Sequence, residues 1–186
     1  MFFFNQECAS FKPRSIESAY LAILNNDLRT ASAIFESLDS PRARWGLIFV
    51  SILEGFIKIY PSYFEIRNFL EIDLDFLIKN EKVEYIEYLL SSLEVLVNIN
   101  QETYKYIARV MYENKYYNAA REYLEKSKKV FYKDPELHFM LSKYYYESRE
   151  YEEAMFYIKE CLKILPDYYP AKLMKQVISK YISENW

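Results

Sequence analysis

Residues 135–168 read PELHFMLSKYYYESREYEEAMFYIKECLKILPDY, and the 34 residues before them, 101–134, read QETYKYIARVMYENKYYNAAREYLEKSKKVFYKD. Laid one on the other, Tyr104 meets His138, Ile107 meets Leu141, Met111 meets Tyr145, and Tyr117 meets Tyr151. Further along, Ala120 meets Ala154, Leu124 meets Ile158 and Ser127 meets Cys161. Besides Tyr117/Tyr151 and Ala120/Ala154, five further pairs are identical, namely Glu102/Glu136, Tyr112/Tyr146, Glu113/Glu147, Tyr123/Tyr157 and Lys129/Lys163, so the period does not rest on hydrophobicity alone. A unit of this length holds two helices, and such hairpins are stable only when stacked, because one alone cannot bury its apolar face.

Outward from these units the whole chain reads as helix. Apolar residues recur at spacings of three and four, as in Tyr20, Leu21, Leu24 and Leu28 or Ile86, Leu89, Leu90 and Leu93. Only Gly46 and Gly55 occur, and six prolines punctuate the helical stretches. The pattern predicts about ten helices, over 15–26, 28–38, 42–57, 62–79, 82–97, 101–113, 116–132, 136–147, 151–165 and 169–183. Ser40-Pro41 and Asp134-Pro135 each supply a capping side chain followed by a residue whose missing amide hydrogen costs nothing in a first helical turn.

In the second unit His138, Leu141, Ser142, Tyr145, Tyr151, Ala154, Ile158, Cys161 and Pro166 fall in order, and Tyr151-Glu152-Glu153-Ala154 spans the start of the second helix. This resembles the tetratricopeptide repeat family. The resemblance implies an all-α, right-handed α-solenoid of antiparallel helix pairs. The family often has Gly at the positions of Ser142 and Arg149, and of Ala108 and Lys115 one unit earlier, so these repeats are degenerate.

One period upstream, 67–100 is a weaker unit: Leu70, Leu77, Val83, Ile86, Leu90 and Leu93 keep apolar positions, but Asp73 falls where Ile107 sits. Further back, Leu28, Ala31, Phe35 and Leu38 repeat the second-helix spacing, yet Ala31 precedes Ala120 by two periods plus 21 residues. An extra helix, around Trp45, must intervene. The expected organisation is a flexible tail over 1–14, an irregular helical subdomain over 15–66, a degenerate unit over 67–100, full units over 101–134 and 135–168, and a capping helix over 169–186.

With 27 acidic against 24 basic residues and a pI near 5.4, the chain lacks the positive charge that phosphate backbones attract, and nucleic acid is not expected as a partner. Residues 101–186 hold fifteen of the 20 tyrosines. Two cysteines, Cys8 and Cys161, form neither a disulfide framework nor a zinc site and suit a reducing, cytoplasmic setting. No apolar run approaches the roughly 20 residues that span a bilayer, so membrane insertion is not expected.

Chemistry-bearing residues are sparse. The one histidine, His138, takes an aromatic repeat position, and Cys161 a small core position, so both read as packing residues. Glu71, Asp73 and Asp75 read as a solvated helix face, with Asp73 turned away from the other two. Two isolated glycines build no phosphate-binding loop. No catalytic residues, cofactor or metal are expected.

The resemblance further implies that first helices line a groove, at positions that here are Lys105, Arg109 and Tyr112, then Phe139, Lys143 and Tyr146. Each triplet has spacing i, i+4, i+7 and so forms one helical stripe. Cation, cation and aromatic residues repeated across two helices suit an extended peptide with acidic and apolar side chains. The family's terminal-carboxylate clamp is not reproduced, since Arg109 and Met140 stand at two of its Asn positions. The expected function is a noncatalytic scaffold or adaptor that holds a protein or peptide partner. The alternative is a self-assembling protein that forms homo-oligomers through its solenoid ends, and an enzyme ranks behind both.

Overall fold

The computed structural model describes residues 15–184. They form eleven helices and fall into two compact units, one ending at Tyr60 and the next beginning at Pro61. The expected tail over 1–14 lies outside the described residues.

The first unit contains α1 (Ile16–Leu24), α2 (Leu28–Glu36) and α3 (Pro41–Leu53). Ser15 opens α1 with a capping box, Asp27 caps α2 and Ser40 caps α3 just ahead of Pro41. Phe35, Trp45, Phe49 and Ile52 are buried between the helices, and Tyr20 meets Phe35 edge-on at 5.7 Å. Gly46 is required by this packing, because a Cβ there would lie 2.5 Å from the Phe35 ring.

The second unit contains α4 (Tyr63–Lys79), α5 (Val83–Ser91), α6 (Leu93–Ile99), α7 (Thr103–Glu113), α8 (Tyr117–Val130), α9 (Pro135–Glu147), α10 (Tyr151–Ile164) and α11 (Tyr169–Glu184). α7 pairs with α8, α9 pairs with α10, and α11 lies against α10. The core joins Leu124, Leu137, Leu141, Ala154, Ile158, Cys161, Ala171 and Ile178. Ala120 and Ala154 are fully buried where each pair crosses, which is why the repeat keeps a small side chain there. Ser142, at a position where the resemblance implies Gly, donates its buried hydroxyl to the Ala154 carbonyl at 2.8 Å and so ties α9 to α10.

Four hairpins turn in the same way. Asn26, Glu81, Lys115 and Arg149 all have positive φ, between 54° and 67°. In each, the following amide closes a wide turn, from Asp27 to Ala22, Lys82 to Leu77, Tyr116 to Met111 and Glu150 to Tyr145, at 2.8–3.0 Å. These are Schellman ends, where Gly is favoured because it carries no Cβ. Glu81, Lys115 and Arg149 follow at the 34-residue period, and Asn26 is displaced from it by the length of α3 and its flanks. Lys115→Gly and Arg149→Gly are each expected to stabilise the chain by about 0.5–1 kcal/mol, since relief of the left-handed strain outweighs the entropy that glycine adds to the unfolded chain. Urea midpoints check this, and an unchanged or lower midpoint in both variants contradicts it.

Two features depart from the expected helices. The single helix expected over 82–97 is two, because the hydroxyls of Ser91 and Ser92 both donate to the Tyr88 carbonyl, at 2.7 and 3.1 Å, and compete with the ladder there. The helix expected over 42–57 stops at Leu53, where Gly55 at φ 92° makes a Schellman end of its own.

Candidate functional site

The six stripe residues do not share one fate. Lys105, expected as an open groove cation, is only 3% exposed. Its ammonium donates to Asp134 at 2.6 Å and to Glu102 at 2.8 Å, and lies 3.1 Å from Glu136. Lys105 is therefore a strut between α7 and the start of α9. Burial alone would lower its pKa, but the carboxylates of Asp134 and Glu102 more than offset this and hold it charged. Asp134 in turn caps α9, taking the amides of Glu136 and Leu137.

Glu102 is the other hub. It accepts the hydroxyls of Tyr63 and Tyr106, both at 2.8 Å, besides the Lys105 ammonium. Against the penalty of burial, these bonds hold its carboxyl down at about 2. Arg109 spans three helices, donating to Glu71 of α4 at 2.6 Å and to Glu136 of α9 at 2.5 Å. Burial raises the Glu71 carboxyl despite that guanidinium.

Glu71, Asp73 and Asp75 are thus not a solvated face. Asp73 is fully buried, and Asp75 accepts from Asn114, the C-cap of α7, at 2.9 Å and from Lys79. Glu71 and Asp75 face α7 because α4 packs against that helix.

Beyond Arg109 the stripes open into a cavity of about 360 Å³ between α7 and α9. Four of the six expected residues, Arg109, Tyr112, Phe139 and Lys143, line it, together with Met140, Tyr168, Lys115 and three glutamates. The Lys143 ammonium sits 4.9 Å from the centre of the Tyr112 ring and makes no ion pair among the described residues. The Tyr112 hydroxyl is buried and makes no hydrogen bond among the described residues. Burial first, and then the nearby Glu147 carboxylate, keep that phenol protonated. Phe139 meets Tyr168 edge-on at 5.4 Å, which gives the cavity its apolar wall.

Tyr146, the sixth residue, does not line this cavity. Its ring packs with Tyr151 and Tyr181, each at 5.6 Å. A second, polar cavity of about 390 Å³ lies on the other side of Arg109, between α4 and α7, with Tyr63, Arg67, Lys105 and Tyr106 on its walls. Glu113, Glu136, Met140, Glu147 and Tyr168 also line the first cavity but lie off the two i, i+4, i+7 stripes. The identical pairs Glu102/Glu136 and Glu113/Glu147 were the available signal, since acids kept at the repeat period imply cations to meet them.

His138 is fully buried, with Nε2 on the Tyr132 carbonyl at 2.8 Å and its ring against Tyr132 and Tyr157. Burial lowers its pKa, which favours the neutral ring, and its Nδ1 makes no hydrogen bond among the described residues. Burial also pushes the Cys161 thiol up to about 11. Cys8 lies outside the described residues. Among the described residues no group of three His, Cys, Asp or Glu could hold a metal, and no helix is long and apolar enough to cross a membrane.

The tetratricopeptide repeat pattern matches residues 135–168, which are α9, α10 and the turn after them. A solved structure, the C-terminal part of a TPR repeat-containing protein from Cytophaga hutchinsonii, is similar over 92% of this chain and 72% of its own. The TM-score is 0.55 at 18% identity, which speaks for the fold. No curated protein matches the chain.

Proposed function

With residues 135–168 forming a tetratricopeptide repeat inside an all-helical repeat fold, we propose that this chain is a noncatalytic adaptor of the cytoplasm whose α7–α9 cavity holds a segment of a partner protein. Repeats of this family are generally protein–protein interaction modules. The observation that carries the reading is Lys143, an ammonium with no ion pair among the described residues, lining a cavity walled by Phe139, Met140 and Tyr168. A partner segment with an apolar side chain beside an acidic one would fill the wall and neutralise the cation. Lys105 and Arg109 are already paired and serve to hold the three first helices at the spacing that leaves the cavity open.

A displayed library of random peptides, selected on the full chain, tests this. Enriched peptides are expected to pair Asp or Glu with a large apolar residue and to lose at least about tenfold in affinity on Lys143→Glu or Phe139→Ala. Lys163→Glu, on an exposed surface lysine of α10, serves as the control. Peptides that bind Lys143→Glu and Phe139→Ala as tightly as the parent chain would overturn the assignment.

A further inference from the structure

The outer side of α11 is left open. Tyr169, Leu173, Val177 and Tyr181 succeed one another every fourth residue and are 66%, 44%, 45% and 42% exposed, while Ala171 and Ile178 on the other side are buried. Tyr181 touches Tyr146 and Tyr151, so the ridge runs on from that ring cluster. Lys172, Lys175 and Lys180 border it, and Glu184 is the one acid of the helix. An exposed apolar ridge of this length marks a docking surface, and its basic border sets the sign of what covers it.

A surface of the complementary kind exists on the same chain. Val83, Tyr88 and Val95 are 62%, 36% and 36% exposed on α5 and α6, set among Glu84, Glu87 and Glu94. Residues 61–100 carry eight acidic against three basic side chains, and Glu87 and Glu94 make no ion pair among the described residues. We propose that α11 of one copy docks on the α5–α6 face of a second copy, with lysines against glutamates around an apolar seam. The proposed contact is head-to-tail: each added copy leaves one patch of each kind open, so the assembly grows past a dimer into open chains or closed rings. The surface lies apart from the α7–α9 cavity and does not depend on the reading of that cavity.

Light scattering on the full chain over rising concentration tests the docking. The mean mass is expected to climb past that of a dimer, and to fall back at about 1 M salt, where screening acts within about 3 Å. Lys172→Glu with Lys180→Glu should give a monomer, as should Glu84→Lys with Glu87→Lys, each with a helical circular-dichroism spectrum. Mixing these two variants should restore association, because each reversed patch then meets a reversed partner. A parent chain that stays monomeric at every concentration, or reversed variants that associate as the parent does, would overturn the docking. So would a mixture of folded variants that stays monomeric.

Discussion

Lys105→Met is expected to destabilise the second unit by about 3–5 kcal/mol, the scale for removing one partner of a buried ion pair. The substitution keeps an unbranched apolar stem, one atom shorter, and removes the ammonium with the hydrogen bonds it donates. Asp134, 5% exposed, then retains two backbone amides but loses its counter-ion, and Glu102 and Glu136 lose a shared one. Lys105→Met with Asp134→Asn should recover a large part of the loss, since the amide oxygen still caps α9 and no buried charge is orphaned. A single-variant cost below about 1 kcal/mol in urea would place the pair with solvent-exposed bridges and contradict the strut.

The same variant has a pH signature. Glu102 titrates at about 2 in the folded chain against an ordinary 4.5, so the stability it lends is complete above pH 4.5 and is lost as the pH falls toward 2. With the Lys105 ammonium gone, the folded carboxyl moves back toward its ordinary value. The difference in urea midpoint between about pH 5 and about pH 3 should therefore shrink in Lys105→Met. An undiminished difference would assign the low value to Tyr63 and Tyr106 alone.

Ala154→Trp is expected to cost at least about 3 kcal/mol and to lower the melting midpoint by at least about 10 °C. Ala154 has no exposed surface, its carbonyl holds the Ser142 hydroxyl, and its neighbours Leu141, Tyr157 and Ile158 are all buried. An indole there must push α9 and α10 apart. Glu153→Trp puts the same side chain one residue away on an exposed position, and surface changes of that kind stay within about 0.5 kcal/mol. Equal melting of the two variants, followed by circular dichroism, would show that the helices do not meet at Ala154.

What was legible in the sequence is what neighbouring residues decide. The 34-residue period, the helix pairs, the small residues at Ala120 and Ala154 and the caps at Ser40 and Asp134 all follow from spacings within a few positions of the chain. Even the left-handed turns at Lys115 and Arg149 were marked, as places where the resemblance implies Gly. Tertiary structure alone decided what the charged stripe does. Lys105 and Arg109 of α7 and Asn114 at its C-cap look alike in sequence as polar residues, but these partners come from 29, 27 to 38, and 39 positions away. A charge is strut or open contact according to which carboxylate the packing of another helix brings within about 3 Å, and no local spacing encodes that distance. Asp73 departs from the expected solvated face for the same reason, whereas Lys143 lines the cavity and makes no ion pair among the described residues.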